Sequence, residues 1–347
     1  MTGNQKPVAS VIVLAYNDKK YLEGCLGSLL DQNMSKQDYE IIYADNASTD
    51  GSADFVAARF PETRVLRLDK NYGFAEGNNR AAAAAQGRFI AFQNPDTIAH
   101  RRWLPELIRA IESDPQVKAC HPAGLPLNFG GYHEREGPLE IGVMSDLTRY
   151  GYIDFTETRL DGRSVPTLHA AGGSVLIDSA IFDELKYYFD PTYFMYNEDT
   201  DLGLRINNLG YTILFVPSAA VYHERAPSRR TILSRKSLRM TFLVTRNRFI
   251  TFYKNMHGLE FLLALPLICM GSIVKVRTLP LRPAKRTVYA LGLIPFTLLS
   301  FCMAVVRFPK YAEERRYILS HSRRKGFWLL KELWKRRPPP WTLLYGS

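Results

Sequence analysis

Groups able to do acid–base or metal chemistry are concentrated at a few points of this 347-residue chain. Glu198, Asp199 and Asp201 fall within one stretch of four residues. Crowded carboxylates raise one another's pKa, which suits a general base. At a helix start the same residues would simply be stabilised by the macrodipole. Arg205, four residues after Asp201, could pair with it or face an acceptor. A second set is dispersed. Asn17 and Asp18, Asp45 and Asn46, and Asn94 and Asp96 each follow a short apolar run. Taken singly, an Asp in such a place is a turn residue. Carboxylates that face a phosphate need a divalent cation between them, and Mg²⁺ or Mn²⁺ takes one or two carboxylates plus phosphate oxygens and waters. Gly172 and Gly173 open another apolar run, and a glycine pair there lets a ligand or a second backbone come close.

The elements that must position these groups alternate. Residues 8–15 and 40–44 are β-branched or apolar runs that predict buried strands, followed by strands at 65–68 and 88–93. Between them lie helical patterns. One places Leu22, Cys25, Leu26, Leu29 and Leu30 on one face, behind an Asn17 or Asp18 cap. A second runs to Phe60 behind Ser48, Thr49 or Asp50. A third is Ala-rich over 74–86, with Gly87 expected as a left-handed C-cap. Such alternation predicts a parallel α/β sheet with its ligand at the carboxyl edge. No G-x-x-x-x-G-K-[ST] occurs, and Gly73-Phe74-Ala75-Glu76-Gly77 is not a G-x-G-x-x-G fingerprint, so a P-loop is excluded and classical NAD binding is poorly supported.

The segments Val11-Ile12-Val13-Leu14-Ala15-Tyr16-Asn17, Asp45-Asn46-Ala47-Ser48-Thr49-Asp50-Gly51-Ser52, Asn71-Tyr72-Gly73-Phe74-Ala75 and Asn94-Pro95-Asp96 occur in that order. Over residues 8–225 the chain resembles the inverting family 2 glycosyltransferases, nearest the rhamnosyl- and galactofuranosyltransferase-like members. The resemblance implies a GT-A fold, a Rossmann-like mixed sheet that binds a nucleotide-diphospho-sugar. It implies that Ala15, Tyr16 and Asn17 line the base pocket and that Asp45 accepts from N3–H of uracil or thymine. Asn71 and Asn79 would lie near the sugar nucleotide. Asp96 would ligate Mg²⁺ or Mn²⁺ as the last residue of the family's Asp-x-Asp motif, in which Asn94 here replaces the first Asp. Glu198-Asp199-Thr200-Asp201 matches the family's Glu-Asp-x-Asp motif, with Asp199 as base and Glu198 and Asp201 as orienting groups. Gly172 and Gly173 fall on the acceptor side. His223 matches a histidine that closes the metal site in related enzymes, and imidazole is a credible ligand. The other six histidines carry no such placement.

Net charge divides the chain. The total is +11, yet residues 1–224 hold 20 Lys+Arg against 30 Asp+Glu and the remainder 25 against 4. The expected domains are a catalytic domain over 1–225, with a nucleotide half at 8–114 and an acceptor half at 115–225, and a basic, apolar helical tail over 226–347. Residues 114–168 show no clear period, and His133-Glu134-Arg135-Glu136 reads as a charged loop. Four scattered cysteines argue against a zinc site or a disulfide framework and favour a reducing compartment. The N-terminus lacks a signal-peptide layout, which predicts a cytosolic body.

In the tail, Leu238, Phe242, Phe249 and Tyr253 make an apolar line beside Arg235, Arg239 and Arg246, whose stems could snorkel. Residues 259–274 and 288–306 are apolar, and the second stretch approaches the length of a spanning helix. Spanning would put basic clusters outside, against the positive-inside rule. A monotopic or re-entrant attachment at the cytoplasmic face of the cell membrane keeps them on anionic lipid, with Trp328, Trp334 and Trp341 at headgroup depth. The expected activity is transfer from a UDP- or dTDP-sugar, with rhamnose preferred, to a glycan or lipid-linked acceptor in cell-surface polysaccharide synthesis. A homo-oligomer is compatible with this. A silent nucleotide- or glycan-binding scaffold is the alternative from another class. Nucleic-acid binding through the tail is not expected, because the positive charge brackets apolar stretches.

Overall fold

The computed structural model describes residues 6–126, 141–148, 150–223, 235–276 and 283–336. The His133–Glu136 loop, residues 277–282 and Trp341 lie outside them. The chain forms two compact units. The first holds residues 1–145, 155–206 and 211–226, and the second holds 146–154, 207–210 and 227–347. The short segments 146–154 and 207–210 thus group with the tail, which a single boundary near 225 does not provide for.

The first unit begins with β1 (Ala9–Ala15), α1 (Lys19–Leu30), β2 (Tyr39–Asp45), α2 (Ser52–Arg59), β3 (Arg64–Arg67), α3 (Gly73–Ala82) and β4 (Phe89–Gln93). There follow β5 (Thr97–Ala99), α4 (Trp103–Glu112), β6 (Val117–Pro126), β7 (Ile141–Leu147), β8 (Ile153–Arg159), β9 (Val165–Thr167), β10 (Ser174–Asp178), α5 (Phe182–Leu185), α6 (Glu198–Asn208) and β11 (Thr212–His223). The main path through the sheet is β3-β2-β1-β4-β10-β6-β11-β5. β3, β2, β1 and β4 are parallel, joined by the helical crossovers that parallel pairs require. β10 then runs antiparallel to β4 and β6, so the sheet is mixed rather than parallel throughout.

Burial follows the sequence pattern. Every residue of β4 and β10 is buried, as continuous apolar runs at the centre of a sheet demand. Leu22, Cys25, Leu26 and Leu29 of α1 join the same core as Trp103, Leu104, Leu107 and Ile111 of α4, with Leu30 partly buried against it. α3 stops at Ala82, and Gly87 is not left-handed. Gly87 serves a different need: a Cβ there would sit 2.5 Å from the β1 backbone at Ala9 and Ser10, so only glycine lets the chain pass. Its N–H donates to Ser10 Oγ. β7, β8 and β9 occupy the segment that showed no period, and all three lie off the main path.

The second unit carries α7 (Arg235–Asn255), α8 (Gly258–Val276), α9 (Pro283–Val305), α10 (Ala312–His321) and α11 (Trp328–Lys335). Phe249 packs edge-on to Phe301, and Tyr253 stacks on Phe308 at 3.8 Å. Lys254 is fully buried and pairs with Glu314 at 2.8 Å. Arg246 is buried too, donating to Asn247 Oδ1, because α7 is packed by α8, α9 and α10 rather than lying at a free surface. α8 and α9 do the reverse and turn Leu259, Leu262, Leu263, Leu291, Leu298 and Leu299 outward. No single helix among the described residues is long and apolar enough to cross a membrane; the pair Leu291–Val305 and Phe308–His321, bent by 53°, has the length and composition of one span only when taken together. Trp334 is exposed, whereas Trp328 donates to Asn208 Oδ1 at 2.9 Å within the unit.

Candidate active site

The loops at the carboxyl ends of β1, β2 and β3 are tied to one another. Asn17 has φ 58°, a left-handed conformation that Asn tolerates better than most side chains. Its N–H donates to Ser48 Oγ at 3.0 Å, and its Oδ1 accepts from Thr49 N at 2.8 Å. Asp45 ends β2 and is buried; the Tyr43 hydroxyl donates to one carboxylate oxygen at 3.1 Å and Ser48 N–H to the other at 3.0 Å. Asn46, to which the sequence attached no separate role, holds the next turn. Its Nδ2 donates to Asn71 Oδ1 and Gly73 O, and its Oδ1 accepts from Tyr72 N. Gly73 has φ 77°, and a Cβ on it would meet the Phe194 ring at 2.5 Å. Ala15, Tyr16, Asn17, Asp45 and Asn71 therefore gather on three adjacent strand ends, with Tyr16 exposed. Asn79 is committed differently. Its carboxamide spans the Phe189 backbone, donating to O and accepting from N, so it positions the 187–193 turn.

Sheet register assembles the second cluster. Ser174 pairs with Gln93, which sets Gly173 beside Asn94, and Asn94 N–H donates to Gly173 O at 3.0 Å. His223 pairs with Thr97, which sets it beside Asp96. His223 Nε2 lies 3.2 Å from Asp96 Oδ2, with both side chains about a third exposed. The contact is a hydrogen bond between the two side chains, and its length is also close to the roughly 3 Å that separates neighbouring ligands of an octahedral ion with bonds of about 2.1 Å, so the pair could open onto a Mg²⁺- or Mn²⁺-sized ion. A Cβ on Gly173 would stand 3.6 Å from Asn94 Nδ2 and 3.9 Å from His223 Cε1. Asp18 belongs to this edge as well. Burial, then the charges of Asp96 and Asp50, push its carboxyl above the usual range, against the opposing hydrogen bond from Tyr16 N–H. Carboxylates that repel one another here are what a cation would relieve.

The third cluster is the start of α6. Glu198, Asp199 and Asp201 all lie in its first turn, where the helix dipole favours negative charge. They then diverge. Asp201 is fully buried and pairs with buried Arg205 at 2.9 Å; the guanidinium also donates to the carbonyls of Leu185, Tyr187 and Tyr188. These two residues tie the start of α6 to the 185–188 backbone. Glu198 is buried, and its Oε2 has no hydrogen-bond partner among the described residues. Burial first, then Asp199 and Asp201, hold its carboxyl well above the usual range. Asp199 is the exposed member, with a quarter of its side chain open. Gly172 lies against it: the Gly172 N–H donates to Asp199 Oδ2 at 3.4 Å, and a Cβ on Gly172 would meet Asp199 Cβ at 2.9 Å. The glycine pair is thus the link between the clusters, with Gly172 on Asp199 and Gly173 beside Asn94 and His223. His169, which the sequence left without a role, is buried with Nε2 3.7 Å from Asp199 Oδ2. Its only sequence signal is its place three residues before the glycine pair.

The mixed α/β sheet is that of a GT-A glycosyltransferase. Residues 10–185 match the family described as Glycosyl transferase family 2, and the chain belongs to that family. Among curated proteins it is 27% identical over 246 residues to the N-acetylglucosaminyl-diphospho-decaprenol L-rhamnosyltransferase of Mycobacterium tuberculosis H37Rv, covering 64% of this chain and 77% of that one. It is 35% identical over 267 residues to the uncharacterized glycosyltransferase YfnE of Bacillus subtilis 168, covering 63% and 65%. Solved structures of similar fold include S. aureus TarS in complex with UDP, with TM-score 0.52, 17% identity and 94% and 91% of the two chains covered. GalNAc-T7 with UDP, GalNAc and Mn²⁺ gives TM-score 0.64 and 15% identity, covering 94% of this chain and 56% of that one.

Proposed function

We propose that the chain is a metal-dependent, inverting transferase that moves a sugar from a UDP- or dTDP-activated donor to a hydroxyl of a glycan or lipid-linked acceptor. The observation that carries this reading is the glycine pair at 172–173, which brings Asp199 and the Asp96–His223 pair to the same strand edge. Asp45 would receive the base, through N3–H of uracil or thymine. Asp96 and His223 would hold Mg²⁺ or Mn²⁺, with Asn94 at the ribose or the ion. The ion, when bound, supplies positive charge for the departing diphosphate. Asp199 would take the proton from the acceptor hydroxyl as that oxygen attacks the anomeric carbon from the opposite face. One displacement inverts the centre. The name of the Mycobacterium relative supports rhamnose as the sugar and a diphospho-polyprenol as the acceptor anchor.

Attachment to the cytoplasmic face of the cell membrane is part of the same proposal. Its support is the outward apolar stripes of α8 and α9 in a unit rich in Lys and Arg. A panel of UDP- and dTDP-sugars, assayed for transfer or hydrolysis with and without EDTA, tests the chemistry. We expect EDTA to abolish turnover and Mn²⁺ or Mg²⁺ to restore it. Asp199→Asn should lower kcat by about 10²–10⁴ while nucleotide binding is retained. An unchanged rate in that variant would remove Asp199 as the base, and binding without turnover of any donor would favour a silent scaffold.

A further inference from the structure

We infer that His169 is a positioning residue for the base, holding Asp199 Oδ2 from beneath through its neutral imidazole. The inference rests on the catalytic reading of Asp199. His169 and Gly172 belong to the one segment that joins β9 to β10, and both address the same oxygen. The Gly172 N–H lies 3.4 Å from Oδ2 and His169 Nε2 lies 3.7 Å from it. The other oxygen is already engaged, since Oδ1 accepts from Thr200 N–H at 2.7 Å. With Oδ1 turned to Thr200, the direction of the carboxylate is set at Oδ2 by the 169–172 segment.

The approach is built into α6. Gly203 lies one turn after Asp199, and a Cβ there would stand 2.4 Å from Leu168 O and 3.1 Å from His169 Cα. A helix without a side chain at 203 can press against the backbone at 168–170, which carries the imidazole to the carboxylate. The ring is buried, and its Nδ1 has no hydrogen-bond partner among the described residues. A carboxylate on the Nε2 side selects the tautomer with the proton on Nε2. Beyond Asp199, a second titratable group near the ring among the described residues is His121, whose ring centroid is 6.4 Å away. Thr167 joins the two: its Oγ1 lies 3.2 Å from His121 Nε2 and donates to His169 O. Burial lowers the pKa of His169 against the opposing charge of Asp199, and burial with His169 lowers that of His121. At 3.7 Å the ring stands just outside hydrogen-bond distance, and a shift of a few tenths of an ångström as the acceptor binds would let a neutral donor aim the carboxylate without neutralising it, as an imidazolium would.

The test compares His169→Leu, His169→Gln and His169→Asn in the full-length protein, using whichever sugar nucleotide the wild type turns over. Gln carries an N–H at about the reach of imidazole Nε2, and Asn does not. We expect Leu and Asn to lower kcat by about tenfold to a hundredfold, the scale of a misplaced reacting group, and Gln to recover most of it. Donor KM should stay within about twofold throughout, because the loss falls on the chemical step. Should the Leu variant not fold, the Gln and Asn variants decide alone. Equal rates for Gln and Asn, or wild-type rates for both, overturn the inference. A wild type with no donor turnover, or an unimpaired Asp199→Asn, overturns the catalytic reading itself. An active wild type, a dead Asp199→Asn and indifferent His169 variants overturn only the role of His169.

Discussion

Single side chains set both the selectivity and the acid sensitivity expected of the first unit. Asp45 is buried, and Tyr43 and Ser48 fix both of its oxygens. A carboxylate so constrained discriminates by what it can accept. Asp45→Ala should weaken UDP or dTDP binding by about tenfold to a hundredfold, the scale of a lost hydrogen bond to a charged group. Calorimetry with the free nucleotide measures this, and kcat at saturating donor should move much less. His121 carries a separate consequence. Burial, then His169, lowers its pKa from 6.5 to about 3. Between those values the unfolded chain binds a proton that the folded chain refuses, so stability rises with pH across that window and is lost as pH falls below about 6.5. The slope is at most about 1.4 kcal/mol per pH unit for each such histidine. Urea midpoints at pH 7.5 and 5.0 should therefore differ. His121→Phe, which keeps a ring against Phe215, should reduce the difference.

Elements here are placed by backbone contact as much as by side-chain packing. Gly87 crosses β1, Gly73 crosses the Phe194 turn and Gly203 sits under residues 168–170, each closer than any Cβ permits. Gly203→Ala should push the start of α6 outward. We expect a lower Tm and a loss of turnover larger than the loss of nucleotide binding, since Asp45 and Asn71 are on other elements. Gly87→Ala should lower Tm alike but act on β1, and so weaken nucleotide binding. Thermal scans with and without UDP separate the two. A Gly203→Ala protein of wild-type Tm would mean that α6 can relax without cost.

At the scale of the chain, the charge asymmetry and the outward apolar residues concern the second unit. Vesicle flotation tests what they do. We expect the protein to float with anionic vesicles more than with neutral ones, and less at high salt. Leu262→Asp and Leu298→Asp are at exposed positions of α8 and α9, so they should leave Tm unchanged and reduce flotation by about tenfold or more. Flotation indifferent to both substitutions would remove these helices from the membrane contact.

The sequence alone was sufficient for the parallel strands, the α1 face and the placing of acidic and amide groups at strand ends, because these depend on local periodicity and on residues next to a strand terminus. It also singled out the stretch from Glu198 to Asp201, a dense local cluster of carboxylates. It could not separate Asp199 from Glu198 and Asp201 by environment, since one helical turn sends them to an open edge, a buried orphan position and an ion pair with Arg205. Nor could it show that Asn79 binds the Phe189 backbone, that Gly87 serves a crossing rather than a cap, or that β7 to β9 form at all. Those outcomes depend on partners tens to more than a hundred residues away. His169 is the clearest case: thirty residues and two elements separate it from Asp199 in the chain, and only the close approach at Gly203 puts them together.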